Sequence, residues 1–184
     1  MASSDHRAFM QWYTPIHERF ARYCASRSLG LKEDGKDIMQ DAILSALEQW
    51  PAIEHKGRLL SYMIGIVNHR LRNKLRSAAV HRRFVAERQR QLSERLPARP
   101  ELALDLHHLL RVIDTLPEAS REALLLHTVS GFSVREVAEL QQASEAAVKT
   151  RISRARARLR RYTEAERRMS LSDQLQTYAS ILLL

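Results

Sequence analysis

Residues 116–161 spell out three short helices together with the signals that start and stop them. Leu116-Pro117-Glu118-Ala119-Ser120-Arg121-Glu122-Ala123 opens the first; Pro117 suits its first turn and Gly131 its end. Ser133, with Glu136 three residues on, makes a capping box for the second. Ser144 caps the third, and Glu145 complements the positive end of that helix from its first turn. On the third helix, Ala147, Val148, Ile152, Ala155 and Leu159 share one face, while Lys149, Thr150, Ser153, Arg154 and Arg156 share the other. Two short helices, a tight turn and a basic helix form an arrangement suited to entering a DNA major groove.

The chemistry of the outer face fits that entry. Lys and Arg donate to the N7 and O6 of guanine, and Ser and Thr contact bases or phosphates. Arg151, Arg158, Arg160 and Arg161 are better spaced for phosphates, where each contact adds salt-dependent affinity. The competing account is a solvated basic face, and the arginines alone do not decide against it. The two-helix lead-in and both caps in register favour DNA. Ala143, Ala146 and Ala147 are small enough for the helix to start close against its predecessor.

The charge balance points the same way. The chain carries a net +9, yet residues 1–67 hold eight Lys/Arg and eight Asp/Glu, so the whole excess lies in residues 68–184, with 22 against 13. A one-sided basic balance suits nucleic acid or an anionic membrane surface. No apolar run approaches the ~18 residues of a membrane span, and Met1-Ala2-Ser3-Ser4-Asp5-His6 has no apolar signal core. Cys24 is the only cysteine, which excludes an internal disulfide and fits a reducing compartment. The expectation is a soluble cytoplasmic protein without membrane insertion. Five Gly and five Pro are few for 184 residues and favour an all-α fold.

Upstream, Phe9, Trp12, Tyr13, Ile16, Phe20, Tyr23 and Cys24 recur at helical spacing over residues 7–29, with Gly30 as a stop. Lys32-Glu33-Asp34-Gly35 reads as a polar turn. A helix over residues 36–49 follows, with Ile38, Met39, Ala42, Ile43, Ala46 and Leu47 as its stripe and Pro51 beyond its end. A third helix covers about residues 58–76, apolar first and basic later. Trp12 and Trp50 fit a core. Residues 68–95 hold nine Lys/Arg and two Glu, and the polar stretch 87–100, with Pro97 and Pro100, shows no stripe. The expected organisation is two helical domains, 5–81 and 105–165, joined by a flexible linker at 82–104 and followed by a tail at 166–184. Leu102, Leu106, Leu109, Leu110 and Ile113 begin the second domain. The tail ends in an apolar stretch, Leu175 to Leu184, costly if exposed, and a regulatory role is the expectation for it.

Leu116-Pro117-Glu118 with Arg121-Glu122, Gly131-Phe132-Ser133 with Glu136-Val137-Ala138, and Val148 to Arg156 resemble region 4 of sigma-70 family factors, above all those of the extracytoplasmic-function group. The resemblance implies that this domain reads the −35 promoter element through Ser144, Lys149, Thr150, Arg151, Ser153, Arg154 and Arg156. Where the family usually has Gly before the recognition helix, this chain has Gln141-Gln142-Ala143, so a non-Gly residue takes positive φ there or the turn differs. Asp37-Ile38-Met39-Gln40-Asp41-Ala42-Ile43 is similar to the group's region 2 signature, which implies that Asp37, Ile38, Gln40 and Asp41 dock on the β′ clamp of RNA polymerase; an amphipathic helix with a wet acidic side would show the same periodicity.

Residues 61–76 resemble the family's strand-opening helix. The resemblance assigns Tyr62, Asn68, His69, Arg72, Asn73 and Arg76 to the −10 element, with the 53–59 loop helping to form a pocket for a flipped base. An aromatic beside cations can stack on an extruded base while the cations hold the single strand. Tyr62 stands where the family usually has Trp, His69 where it often has Asn, and Asn73 where it often has Asp; a core position is the alternative for Tyr62.

The implied function is an alternative sigma factor that binds core polymerase, at the β′ clamp and β flap, and directs promoter-specific initiation. The implied linker path runs in or near the RNA exit. Catalysis would belong to the polymerase, with no cofactor, no metal and no small-molecule substrate, and an anti-sigma factor is a further partner common in such groups. No phosphate-cradling Gly loop, His-Glu-x-x-His or paired metal-ligand spacing is present, and the adjacent His107 and His108 make a poor metal pair. Two other classes compete: a dimeric helix-turn-helix repressor or activator acting on duplex DNA alone, for which residues 37–76 would have no use, and an RNA-binding protein using the 68–95 basic stretch.

Overall fold

The computed structural model describes residues 2–29, 35–74, 78–96, 98–165, 175–176 and 178. Nine α-helices are present among them: α1 (Ala2–Tyr13), α2 (His17–Ser28), α3 (Gly35–Glu48), α4 (Leu59–Lys74), α5 (Ala78–Arg95), α6 (Pro100–Asp114), α7 (Glu118–Leu124), α8 (Val134–Leu140) and α9 (Glu145–Ala165). The all-α expectation holds.

Helices α1–α4 pack around an aromatic centre. Phe9 meets Trp50 edge-on at 5.4 Å and stacks on Tyr13 at 5.7 Å, and Phe20, Tyr23, Ile38, Met63 and Val67 close the core. The single helix expected over residues 7–29 is broken into α1 and α2 by a 3-10 turn, Thr14–Ile16. Pro15 lacks the N–H that the helix interior needs. The break also corrects Trp12, which stands 49% exposed, whereas Trp50 is buried as expected. Gly35 starts α3 hard against α2: a Cβ there would lie 2.8 Å from Ser28 Oγ and 2.9 Å from Ala25 Cα. No larger residue fits without moving α3.

The segment expected to be a flexible linker, 82–104, is helical at both ends, in α5 and in the first turn of α6, which corrects that expectation. Helix α5 packs along α6, with Leu92 buried and Arg88 paired to Asp114 at 2.8 Å. Its inward stripe is the half-buried Val85 with the buried Arg88 and Leu92, a guanidinium in the middle, so a hydrophobic pattern never shows in the sequence.

In the C-terminal half, α7, α8 and α9 wrap around Leu124, Val137, Val148, Ile152, Ala155 and Leu159, all buried. Helix α7 runs into a π-helical turn at Leu125–Val129, whose Ser130 N–H donates to the Leu125 carbonyl at 3.0 Å. Gly131, at φ +76°, then reverses the chain, as expected of a residue free of a Cβ. The turn before α9 uses Gln142 at φ +49°, a left-handed conformation that a side chain disfavours. Gln142→Gly is therefore expected to stabilise the protein by about 0.5–1 kcal/mol. A urea midpoint raised at constant slope would bear this out, and an unchanged or lower midpoint would contradict it.

Candidate nucleic-acid interface

Both caps expected from sequence form. Ser133 Oγ accepts from the Glu136 N–H at 3.2 Å while the Ser133 N–H donates to Glu136 at 2.8 Å. The Ala147 N–H donates to Ser144 Oγ at 3.2 Å and fixes the start of α9. Gln141 adds a lock that sequence reasoning did not single out. Its Nε2 donates to the Ala119 carbonyl at 2.9 Å and to Glu122 at 2.8 Å, and its Oε1 accepts from Arg151 at 2.7 Å. One turn residue thereby ties α7 to α9 and sets the angle at which α9 leaves the domain.

On α9, Ser144, Lys149, Thr150, Ser153 and Arg154 are exposed on the face away from the core, together with Arg158, Arg160 and Arg161. Thr150 bonds back to the Ala146 carbonyl at 2.9 Å, and Lys149 lies 3.9 Å from Glu145. Arg151 is half-buried and held by Gln141, and Arg156 is half-buried against Thr128 at 3.4 Å, so these two are partly committed within the domain. Beside them a cavity of about 380 Å³ opens, lined by His127, Lys149, Ser153, Arg156 and Arg160. The outcome is a cationic, hydroxyl-bearing ridge on a rigid three-helix support.

In the first half, Tyr62 is 38% exposed on α4 and is no core residue. His69, Arg72 and Asn73 are exposed; Asn73 Nδ2 lies 3.0 Å from His69 Nε2. Arg76 lies outside the described residues. Asn68 is different. It accepts from the Tyr23 hydroxyl at 2.8 Å and donates to Glu122 of α7 at 2.5 Å, so it faces the other half of the molecule. On α3, Asp37 and Gln40 are exposed, and Asp41 is half-buried and paired with Arg70. Ile38 is 2% exposed and belongs to the core, which corrects its reading as a contact residue. Leu44, two turns beyond Asp37 on the same face, is 56% exposed and was not part of the expected stripe. An apolar residue beside an acidic edge was legible there as a break in the periodicity.

Two ion pairs also join the halves. Arg19 of α2 meets Glu136 at 2.8 Å while its guanidinium lies 4.2 Å over the Phe132 ring, and Arg27 meets Glu118 at 3.0 Å. The Arg19 hydrogen bond, aided by Ser133, pushes the Glu136 pKa down to about 2 against the opposing effect of burial. Burial likewise works against the Glu118 carboxylate, but Arg27 and Arg121 overcome it and hold its pKa below the usual value. Burial pushes the Cys24 thiol well up, so it stays protonated and unreactive. The buried His107 is pushed down to about 4, by burial first and then by Arg88. Among the described residues no cluster of His, Cys, Asp and Glu is placed to hold a metal, and no helix is long and apolar enough to cross a membrane.

A capped helix-turn-helix with a basic reading helix, behind a four-helix unit carrying an acidic edge and an aromatic-basic helix, defines a promoter-recognition subunit. Family comparison agrees in both halves: residues 16–80 match Sigma-70 region 2 and residues 106–159 match Sigma-70, region 4. The extracytoplasmic-function sigma factor SigM of Mycobacterium tuberculosis is 30% identical over 159 residues, spanning 86% of this chain and 79% of that protein. SigD of Mycobacterium bovis is 29% identical over 168 residues (86% and 78%), and ShbA of Streptomyces griseus 27% over 164 (81% and 84%). The chain belongs to the extracytoplasmic-function group of the sigma-70 family and is an alternative sigma factor directing promoter-specific transcription initiation. The duplex-only dimeric regulator is not favoured. The fold is shared with CnrH, in its complex with the cytosolic domain of CnrY, at a TM-score of 0.58 over 89% of this chain and 92% of that one, with 23% identity.

Proposed function

We propose that the two halves divide promoter recognition between them. Helix α9 reads the −35 element through Lys149, Thr150, Ser153 and Arg154, with Ser144 setting its start and Arg151 and Arg156 reaching phosphates. Helix α4 opens the −10 element through Tyr62, Asn68, His69, Arg72 and Asn73, and Arg76, outside the described residues, is assigned to the same role. The edge formed by Asp37, Gln40 and Asp41 on α3, with the exposed Leu44, seats the β′ clamp, and the region 4 domain meets the β flap. Residues 5–81 and 105–165 are the working domains, with 82–104 between them. The protein supplies specificity and leaves catalysis to the polymerase, works inside the cell, and is a target for an anti-sigma partner.

The observation that carries this reading is the exposed Lys149–Ser153–Arg154 ridge on a helix capped at Ser144 and locked by Gln141. The clamp assignment rests on the exposed Asp37 and Gln40. Asp37→Arg is expected to weaken binding to purified core polymerase by about tenfold or more, close to 1.4 kcal/mol, while leaving duplex −35 binding unchanged. Equal co-elution of the variant and the parent with core would refute the assignment of α3.

A further inference from the structure

The last described residues return to the junction between the halves. Tyr178 is fully buried, and its hydroxyl donates to the Ser26 carbonyl at the end of α2 at 2.9 Å; Leu175 is 3% exposed. Tyr178 borders a cavity of about 260 Å³ whose walls come from both halves: Leu29 and Leu71 from the first, Leu110, Ile113 and Leu125 from the second. One tail residue therefore touches the seam that Arg19–Glu136, Arg27–Glu118 and Asn68–Glu122 already bridge. The seam covers Asn68 on the helix assigned to strand opening. Through Glu122 and Gln141 it reaches Arg151 on the reading helix in an unbroken hydrogen-bonded chain.

This closed arrangement cannot engage a promoter. The −35 and −10 elements lie more than two helical turns apart, roughly 70 Å at 34–36 Å per turn. A helical domain of about 60 residues is only about 27 Å across. Two such domains in contact put their reading surfaces too close together to reach both elements. The halves must separate before both are read.

We propose that the C-terminal tail is an intramolecular clasp: Leu175 and Tyr178 hold the two domains in a closed, promoter-incompetent form that binding to core polymerase opens. The closed form is a property of the free chain, whereas its inhibitory effect rests on the promoter-recognition reading above. Tyr178 fills the seam with an aromatic ring whose hydroxyl is satisfied by Ser26. Opening it exposes Asn68 and frees Glu118, Glu122 and Glu136 from their partners across the seam. A clasp of this kind lowers apparent core affinity by the fraction of molecules that are open.

The test uses the full chain. Small-angle scattering of the free protein is compared with that of Tyr178→Ala and Tyr178→Phe, alongside core polymerase affinity. Tyr178→Ala is expected to enlarge the radius of gyration and to tighten core binding about threefold to tenfold. Tyr178→Phe, lacking only the hydrogen bond, is expected to shift both in the same sense but less. If Tyr178→Ala loses its cooperative melt, Tyr178→Phe carries the test, because it removes only the hydrogen bond to the Ser26 carbonyl and keeps the buried ring. A folded Tyr178→Ala, or in its place a folded Tyr178→Phe, with the parent's scattering profile and core affinity would overturn the clasp. Expansion with no core binding by any form would uphold the clasp and refute the polymerase assignment instead.

Discussion

Phe132→Ala is expected to destabilise the C-terminal domain by about 3–5 kcal/mol, the range for deleting a buried phenyl ring. Phe132 is 1% exposed at the chain reversal between the π-helical turn and α8. Its N–H donates to the Leu126 carbonyl at 3.0 Å, and its carbonyl lies 2.7 Å from His127 Nδ1. The backbone is thus pinned where the ring must sit, and the cavity left by alanine cannot collapse readily. Because Arg19 lies over the same ring, the variant also loses a contact across the seam. Whole-domain stabilities run to only about 5–15 kcal/mol, so such a loss would leave region 4 largely unfolded in mild denaturant. Chemical denaturation followed by far-UV dichroism measures it. A loss below about 1 kcal/mol would mean that the ring is not the keystone of the helix-turn-helix.

Arg154→Ala carries the largest expected effect on sequence reading. Arg154 is exposed in the middle of the outer face of α9, one turn beyond Thr150. A bidentate contact from arginine to guanine is worth about 1–3 kcal/mol, so discrimination at one base pair of the −35 element should fall by roughly 5-fold to 150-fold. Arg158→Ala, at a phosphate-spaced position, should instead weaken every sequence alike and lower the salt dependence by about one charge. Competition binding with single-base variants of a −35 duplex separates the two. A uniform loss for Arg154→Ala would demote it to a phosphate contact.

The C-terminal domain was almost wholly legible in the sequence because its signals are local. Ser133–Glu136, Ser144 and Gly131 each announce a boundary within a few residues; of the two outcomes open for the 141–143 turn, a positive φ or a different turn, the first occurs, at Gln142. The parts that escaped depend on what the chain meets far away. Helix α5 has an arginine in its buried stripe, intelligible only once Asp114 stands opposite Arg88. Pro15 was outvoted by a run of apolar residues at helical spacing, and Trp12 left the core with that break. Ile38 falls both in the apolar stripe and in the signature motif, and its burial decides for the stripe. The seam was invisible because its pairs join residues 54 to 117 positions apart in sequence.

Reconstituted transcription tests the central claim most directly. Purified core polymerase is mixed with this protein on a pool of genomic promoter fragments, and start sites are mapped. The account predicts initiation at a limited set of sites sharing −35 and −10 elements, dependent on the protein and lost with Asp37→Arg or Arg154→Ala. No protein-dependent initiation and no co-elution with core, alongside tight binding of a dimer to duplex DNA alone, would contradict it.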